Sequence, residues 1–242
     1  MKSKINTYIL FSDFEVDRQA TVNLLKDSFE NHTIIPSIYP SRVHVPFIQQ
    51  LISQSKIRTG RALSLSEIGC LLGHRKIWQD IVKSSAYESE HFLVLESDSK
   101  LNDLNELESN FREYTNFYDL FFWGAWEGNT RIKRSTILYE KNNRVVGEPL
   151  IKSVYCTYGY SLNKKAAKYL LVKTGKISYP VDMFKHFVNP KEIKIGAIRK
   201  ELISSWGNLK SYIRTNNLVA NIKRFIIVSI FDCRNRIQAY FS

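Results

Sequence analysis

The stretch that decides the fold is residues 61–98, which read RALSLSEIGCLLGHRKIWQDIVKSSAYESEHFLVLESD. Ser64 followed three residues later by Glu67 matches a capping box, and apolar residues then recur at helical spacing, so this part predicts a helix. The apolar run FLVL is short and continuous, which predicts a strand covered on both faces. The strand ends at Glu96, so Glu96 and Asp98 lie at its carboxyl end, where α/β folds bind ligands.

Strands and helices alternate in the flanking sequence. Strands are predicted at residues 7–11, 34–35, 118–123 and 154–158, a hairpin at 137–146, and helices at 17–29 and 163–173. This alternation favours an α/β fold with a Rossmann-type, mainly parallel sheet flanked by helices. Pro40 and Pro46 interrupt residues 39–60, which are predicted to form an irregular loop over the site.

Length and composition favour one large domain with an appendage. The chain has 242 residues, of which 44% are hydrophobic and 13% aromatic, enough to bury a substantial core. After residue 205 the composition shifts to alternating basic and apolar residues. We therefore predict a main domain at residues 1–205 and a basic amphipathic helical tail at residues 206–242.

The charge balance points to an anionic partner, because the formal net charge is +12 and the sequence pI is near 9.5. Residues 218–240 mix apolar and basic side chains, which suits an amphipathic helix lying on an anionic membrane surface. The alternative is a helix that packs back on the main domain and keeps its basic residues in water.

The cysteines and the amino terminus favour a reducing, cytoplasmic location. Cys70, Cys156 and Cys233 are far apart and lack CxxC spacing, so they predict neither a disulfide framework nor a zinc site. The apolar run at residues 8–11 is too short for a signal-peptide core. No run approaches the roughly 20 apolar residues that cross a bilayer. We expect a cytoplasmic protein that becomes peripheral to the membrane where its tail docks.

Two carboxylates one residue apart at a strand end can hold a divalent cation such as Mg²⁺ or Mn²⁺ through their oxygens. A diphosphate beside Glu96 and Asp98 would be repelled by about 4 kcal/mol per pair of unit charges at contact distance, unless a cation intervened. The alternative is a pair of solvated acids in a turn, because such triplets are common in proteins.

The 61–98 stretch is followed along the chain by CTYGY at residues 156–160 and PVD at residues 180–182. In this order the blocks resemble glycosyltransferase family 25, the bacterial lipooligosaccharide galactosyltransferase group. The family pattern is approximately R-x-L-[ST]-x-[GS]-E-I-G-C-x-x-S-H, then an apolar strand and E-D-D, then G-T-x-G-Y and P-[VI]-D. The resemblance covers about residues 5–205.

The chain departs from the family pattern in a few places. Ser97 stands where the family has the middle acid of E-D-D, and Gly73 replaces a serine. Of the amino-terminal segment, only the dipeptide at residues 17–18 matches. Loss of the middle carboxylate removes one metal ligand, so Asp98 is the first candidate ligand and Glu96 the second.

The resemblance implies a glycosyltransferase-A-like fold for the catalytic domain at residues 1–205, with Mn²⁺ or Mg²⁺ as cofactor. It implies transfer of a hexose, galactose above all, from a UDP-sugar with inversion at the anomeric carbon. The acceptor would be lipooligosaccharide or another surface glycan, lipid-linked at the cytoplasmic face of the inner membrane. No nucleic-acid partner is expected.

An inverting transfer needs a base that takes the proton of the acceptor hydroxyl. Asp182, after the turn at Pro180, is the first candidate for this catalytic base, and Glu127 is the reserve. The alternative for Asp182 is a helix N-cap.

The candidate donor- or acceptor-binding residues are Arg61, Glu67, His74, Tyr158 and Gly159. Arg61 would reach a phosphate, and Glu67 and His74 project from one face of the predicted helix. Tyr158 offers a ring for sugar stacking, and Gly159 allows close backbone approach. Each residue also has a structural alternative. Arg61 would be an exposed loop arginine, Glu67 a capping acid and His74 a hydrogen-bonded core histidine. Tyr158 would be a core tyrosine, and Gly159 would relieve a bend.

Two other functions remain open beside the transferase. One is a basic nucleic-acid-binding module, although the chain has no nucleic-acid motif and its basic residues are dispersed outside the tail. The other is an inactive protein of the same fold, because Ser97 breaks the acidic triplet.

Overall fold

The computed structural model describes residues 2–42, 44–125, 129–141, 143–206, 232 and 234–242. Its strands are β1 (Thr7–Phe11), β2 (His32–Pro36), β3 (Phe92–Glu96), β4 (Ser99–Leu101), β5 (Leu120–Gly124), β6 (Tyr139–Lys141), β7 (Arg144–Gly147), β8 (Gly159–Leu162), β9 (Ile195–Arg199) and β10 (Ile203–Ser205). Its longer helices are α1 (Gln19–Ser28), α2 (Ile48–Thr59), α3 (Leu65–Lys83), α4 (Leu104–Thr115) and α5 (Lys164–Lys173).

The main sheet of the described part is a mixed eight-stranded sheet with the order β2-β1-β3-β8-β5-β9-β7-β6. β1 pairs in parallel with β2 and β3, and β5 pairs in parallel with β9. β8 lies antiparallel between β3 and β5, and β7 lies antiparallel between β9 and β6. β7 and β8 are therefore antiparallel to the other six strands of this sheet. Six of the eight strands share one direction, so the predicted α/β class with a mainly parallel sheet flanked by helices is confirmed, and this arrangement is compatible with a Rossmann-like fold.

Helices cover both faces of the sheet, because the side chains of each strand alternate between the two faces. In β3, Phe92 and Val94 pack with α3 and α5, whereas Leu93 and Leu95 pack with α1 and α4. Burying such a side chain stabilises the fold by about 1.5–3 kcal/mol. The continuous apolar run of β3 thus reflects a strand that is covered on both faces, as predicted.

Helix α3 lies unusually close to the edge of the sheet where β1 and β2 end. It begins with the predicted capping box, in which the Glu67 amide donates to the Ser64 hydroxyl and the Ser64 amide donates to the Glu67 carboxylate. A Cβ on Gly69 would lie 2.1 Å from the carbonyl oxygen of Ile38. This close approach brings His74 of the same helix to the end of β3.

Two segments differ from their prediction. Residues 39–60, predicted to be irregular, contain α2, which ends at Gly60 with a φ of 76°. The two prolines lie before the first turn of this helix and so do not interrupt it. The strand predicted at residues 154–158 begins instead at Gly159, because Cys156 has a φ of 68°, which an extended strand does not accommodate.

A second, smaller sheet forms immediately after the predicted acids. β4 pairs antiparallel with β10 to make this two-stranded sheet. One residue past β10, the Trp206 amide donates to the carbonyl oxygen of Asp98 at 2.9 Å. Trp206, where the predicted tail begins, thus lies beside the predicted site.

Most of the predicted tail lies outside the described residues, so membrane contact through residues 218–240 and the domain boundary stay predictions. Residues 234–240 are helical and contact the main domain. Asp232 pairs with Arg131, and the guanidinium of Arg134 lies 4.8 Å from the ring centre of Tyr240. These contacts match a helix that packs back on the domain. Within the described ranges, each helix is too short or too polar to traverse a membrane.

Candidate functional site

The predicted carboxylates lie at the edge of the sheet where the parallel strands β1, β2 and β3 end. Glu96 is the last residue of β3, and Asp98 directly precedes β4. Side chains from the turn after β1, from α3 and from the segment before β8 meet these acids. The site is therefore assembled from segments far apart in the sequence, at the edge where open α/β sheets bind ligands.

Glu96 is held by hydrogen bonds that continue into the core. Its Oε1 lies 3.1 Å from Nε2 of His74 and accepts from the Thr157 hydroxyl. Nδ1 of His74 lies 2.9 Å from the Tyr160 hydroxyl, to which the indole N–H of Trp78 donates at 2.9 Å. Because a carboxylate accepts and an indole donates, the consistent assignment is Tyr160 donating to Nδ1 of His74 and Nε2–H donating to Glu96. Each ring nitrogen and hydroxyl in this series then has a partner.

These contacts keep Glu96 ionised. Burial raises the pKa of Glu96, but the contacts just described, led by His74, together with the charge of Arg18, outweigh burial and lower the pKa overall. The Sγ atom of Cys70 lies 3.9 Å from Oε1 of Glu96. Burial above all, followed by the nearby acids, raises the pKa of the Cys70 thiol well above its usual value. The thiol is therefore protonated at neutral pH and is a weak donor to Glu96.

The two carboxylate oxygens of Asp98 have different surroundings. NH2 of Arg18 lies 3.3 Å from Oδ2 of Asp98. The other oxygen, Oδ1, is buried and has no hydrogen-bond partner among the residues that the structure describes. Burial above all, and then the charge of Glu96, raises the pKa of Asp98 to about 6 despite the opposing effect of Arg18. A buried oxygen without a partner is unfavourable, and this is the pattern expected of an atom that binds a ligand.

Ser97 and Glu15 complete the cluster around Asp98. Both side chains are 2% exposed. The Ser97 hydroxyl donates to Glu15 and accepts from NH1 of Arg18 at 2.8 Å. Glu15 lies in the turn after β1, and Arg18 directly precedes α1. The turn between β1 and α1 thus contributes one acid and one cation to the site.

The donor atoms favour a hard cation at Asp98 over a zinc ion at the neighbouring residues. Among the described residues, Cys70, His74 and Glu96 form a group of three potential metal ligands whose ligand atoms all lie within 4.8 Å of one another. Their atoms are hydrogen-bonded to one another or to Tyr160, and the thiol is protonated, so this group fits a hydrogen-bond network. A carboxylate oxygen such as Oδ1 of Asp98 is the ligand type that Mg²⁺ and Mn²⁺ prefer.

Asp182 lies partly buried in a turn. Its charge is among those that, after burial, raise the pKa of the Cys70 thiol, which places Asp182 in the same charged region. The N-cap of the short 3-10 turn Phe184–His186 is Met183, the residue after Asp182. Glu127, the reserve candidate, lies outside the described residues.

Arg61 and Glu67 contact each other. The Glu67 carboxylate completes the capping box of α3 and lies 2.6 Å from NH2 of Arg61, whose side chain is 59% exposed. These contacts match the alternatives of a capping acid and an exposed loop arginine. His74 differs, because it is fully buried and also contacts Glu96.

Tyr158 and Gly159 contact the opposite side of the sheet from α3. Tyr158 packs in the cluster that contains α1 and α4, and its hydroxyl donates to Glu201 at 3.0 Å. A Cβ on Gly159 would lie 2.5 Å from the side chain of Ile203. The absence of a side chain at Gly159 therefore allows β10 to pack closely. The geometry of Tyr158 matches the alternative of a core tyrosine, and that of Gly159 matches a glycine needed for backbone packing.

Sequence reasoning missed several residues that surround the acids. They are Glu15, Arg18, Thr157 and Trp206. Thr157 belongs to the CTYGY block and Arg18 to the dipeptide that matches the family pattern, so both could have been proposed because they lie in matching segments. Glu15 offered no such signal, because it lies in a segment that departs from the family pattern.

A comparison with known protein families gives a match over most of the chain. The sequence model of glycosyltransferase family 25, described as an LPS biosynthesis protein, matches residues 15–185. That span is well over half of the chain, and it includes the acids of the site and Asp182. None of the curated proteins compared with the chain matches it.

Proposed function

The chain belongs to glycosyltransferase family 25, and from this membership we propose that it transfers a hexose from a UDP-sugar to a surface glycan. The family supports the glycosyltransferase role. The proposed sugar is galactose, and the proposed stereochemistry is inversion at the anomeric carbon. The proposed acceptor is lipooligosaccharide or another lipid-linked glycan at the cytoplasmic face of the inner membrane.

The observation that carries the proposal is the buried Oδ1 of Asp98, which has no hydrogen-bond partner among the described residues. One cation, Arg18, contacts the other oxygen of this carboxylate. A second, the ammonium of Lys100, lies 4.8 Å from the ring centre of Trp206, whose backbone amide donates to the backbone carbonyl of Asp98. The side chain of Trp206 is 41% exposed. Cations suit a diphosphate and an exposed ring suits a sugar, so this edge supports a nucleotide-sugar donor.

We assign Mn²⁺ or Mg²⁺ to Asp98, with Glu96 as the second carboxylate. When bound, a divalent cation counters the charge of the diphosphate beside the acids. Asp98 presents Oδ1, the oxygen that Arg18 does not contact. His74 and Thr157 keep Glu96 ionised and in one orientation.

Asp182 is the proposed base. In an inverting transfer, the acceptor hydroxyl attacks the anomeric carbon while its proton passes to a carboxylate, and the diphosphate leaves from the opposite side. The partial exposure of Asp182 in a turn, and its charge in the region of Cys70 and the strand-end acids, support this role. Glu127 remains the reserve.

A stability and hydrolysis assay on the full chain tests the proposal. UDP with Mn²⁺ is expected to raise Tm, because a ligand that binds the folded state stabilises it. Labelled UDP-galactose is expected to be hydrolysed slowly. Asp98→Asn keeps the side-chain shape but removes the charge, so we expect a loss of at least about tenfold in affinity for UDP with Mn²⁺. Asp27→Asn, at a side chain that is 79% exposed, is the matched control.

The other outcomes decide between the open functions. Stabilisation by a single-stranded oligonucleotide, with none by UDP, would replace the transferase with a nucleic-acid-binding module. Binding of UDP without release or transfer of any sugar would identify an inactive protein of the same fold. A donor screen in which UDP-glucose or UDP-N-acetylglucosamine outperforms UDP-galactose would overturn the choice of galactose.

A further inference from the structure

Ser97 occupies the position where an acid is expected, yet the structure still places a carboxylate there. The Ser97 hydroxyl donates to Oε2 of Glu15, which lies 82 residues earlier in the chain. Both side chains are buried. Glu15 thus supplies, from the turn after β1, a negative charge at the spot where the side chain of residue 97 lacks one.

Arg18 connects this carboxylate to Asp98. Its NH1 donates to the Ser97 hydroxyl at 2.8 Å and lies 3.6 Å from Glu15, while its NH2 lies 3.3 Å from Oδ2 of Asp98. A guanidinium is planar and rigid, so contacts on several sides fix its orientation. The fixed guanidinium in turn determines which oxygen of Asp98 is paired, and Oδ1 is the oxygen without a partner in the described part of the chain.

We propose that Glu15, Ser97 and Arg18 form one charge-balanced unit that positions Asp98, and that Glu15 replaces in space the missing middle carboxylate. These are positioning residues, because they act through Asp98. The inference deepens the proposed function and rests on it for its catalytic meaning. On this basis, the serine at position 97 helps to order the site, and its presence does not mean that the protein has lost activity.

If the three residues act as a unit, an acid at position 97 should destabilise the protein, and removing the charge of Glu15 should restore stability. Aspartate at position 97 would bring two buried like charges to hydrogen-bond distance, and Arg18 already serves a second acid. Like charges in a buried site disfavour the folded state. Glutamine at position 15 keeps the shape of Glu15 and its acceptor oxygen but removes its charge. Ser97→Asp combined with Glu15→Gln therefore restores the original net charge of the unit.

The first experiment is a double-mutant cycle in thermal stability. Ser97→Asp is expected to lower Tm by about 5–10 °C, and adding Glu15→Gln is expected to recover at least half of that loss. The control pairs Ser97→Asp with Glu113→Gln, which removes an exposed acid on α4 and should recover nothing. If the changes in Tm from Ser97→Asp and Glu15→Gln simply add, or if Ser97→Asp leaves Tm unchanged, the proposal that these residues form one unit is wrong.

The second experiment separates positioning from mere structural support, with Mn²⁺ alone as the probe in calorimetry. Glu15→Gln leaves the charge of Arg18 less compensated beside Asp98, so we expect Mn²⁺ affinity to fall about tenfold. The Ser97→Asp, Glu15→Gln double variant should bind Mn²⁺ within about threefold of wild type, since the net charge is restored. A lower Tm with unchanged Mn²⁺ affinity in Glu15→Gln would reduce Glu15 to a structural role. If wild type binds no Mn²⁺, the proposed cofactor fails, while the stability cycle still decides whether the three residues act together.

Discussion

At the scale of single residues, two carboxylates at the end of one strand have opposite environments. Glu96 accepts hydrogen bonds from His74 and Thr157, and its pKa is lowered overall although burial raises it. Asp98 has one oxygen near Arg18 and one buried oxygen without a described partner, and burial raises its pKa to about 6. Because a desolvated charge is costly, Asp98 is the acid that gains most from a bound cation.

The first prediction concerns how much the buried, ionised carboxylate of Asp98 destabilises the folded protein when no metal is bound. Its ordinary pKa is 3.8, and a raised value in the folded state means that ionisation opposes folding. This cost is absent below about pH 4, grows up to about pH 6 and is constant above it. In chelator at pH 8, Asp98→Asn is expected to stabilise the protein by up to roughly 3 kcal/mol, and the gain should vanish near pH 4. Urea unfolding at both pH values measures it.

Asp119 provides a contrast for this measurement. Burial raises its pKa, but hydrogen bonds from Lys165, the Lys194 amide and Asn163 outweigh burial and lower it. Asp119→Asn should therefore destabilise the protein at pH 8, with the loss shrinking as pH falls below the ordinary pKa. If Asp98→Asn also destabilises at pH 8 in chelator, the burial of an ionised Asp98 is not the dominant cost.

At the scale of elements, helix α3 connects the sheet to the site. Its capping box defines where it starts, and its glycines set how closely it approaches the ends of β1 and β2. A Cβ on Gly69 meets the Ile38 carbonyl oxygen at 2.1 Å, whereas a Cβ on Gly73 meets the flexible end of Leu10 at 2.8 Å. Gly73, a departure from the family pattern, therefore has a packing reason in this chain.

The second prediction compares these two glycines. Gly69→Ala presses against backbone that cannot move aside, so it is expected to destabilise the protein by at least about 2 kcal/mol. Gly73→Ala presses against a side chain that can rotate, and alanine favours a helix over glycine by about 1 kcal/mol, so its net effect should be smaller. Thermal unfolding of both variants measures the difference. Equal losses would mean that α3 does not depend on close contact at Gly69.

At the scale of the whole molecule, the reversed strand β8 brings the site together. It lies between β3 and β5, so the block at residues 156–160 reaches the end of β3 from the opposite direction. Thr157 then meets Glu96, and Tyr160 meets His74 of α3. Near the carboxyl terminus, Asp232 and Tyr240 add a separate contact with the main domain.

The third prediction concerns this carboxyl-terminal contact. Arg131 is 8% exposed and pairs with Asp232, and breaking a buried ion pair by removing one member typically costs about 3–5 kcal/mol. Asp232→Ala is therefore expected to lower Tm and to make residues 234–242 sensitive to limited proteolysis. Asp27→Ala, on the exposed Asp27–Lys2 pair, is the control and should change neither. Proteolysis at the wild-type rate in Asp232→Ala would show that the helix is held by its other contacts.

Local patterns in the sequence were sufficient for the class of fold, the strand at Thr7–Phe11, helix α3 with its cap, the doubly covered strand β3 and the position of Glu96 and Asp98 at its end. These depend on periodicity, capping and burial, which neighbouring residues express directly. The tertiary structure alone decided that Glu15 and Arg18 meet Ser97, and that Thr157 and not Tyr158 reaches Glu96. Such contacts join segments tens of residues apart, and they arise from strand order and close helix packing, which no local pattern contains.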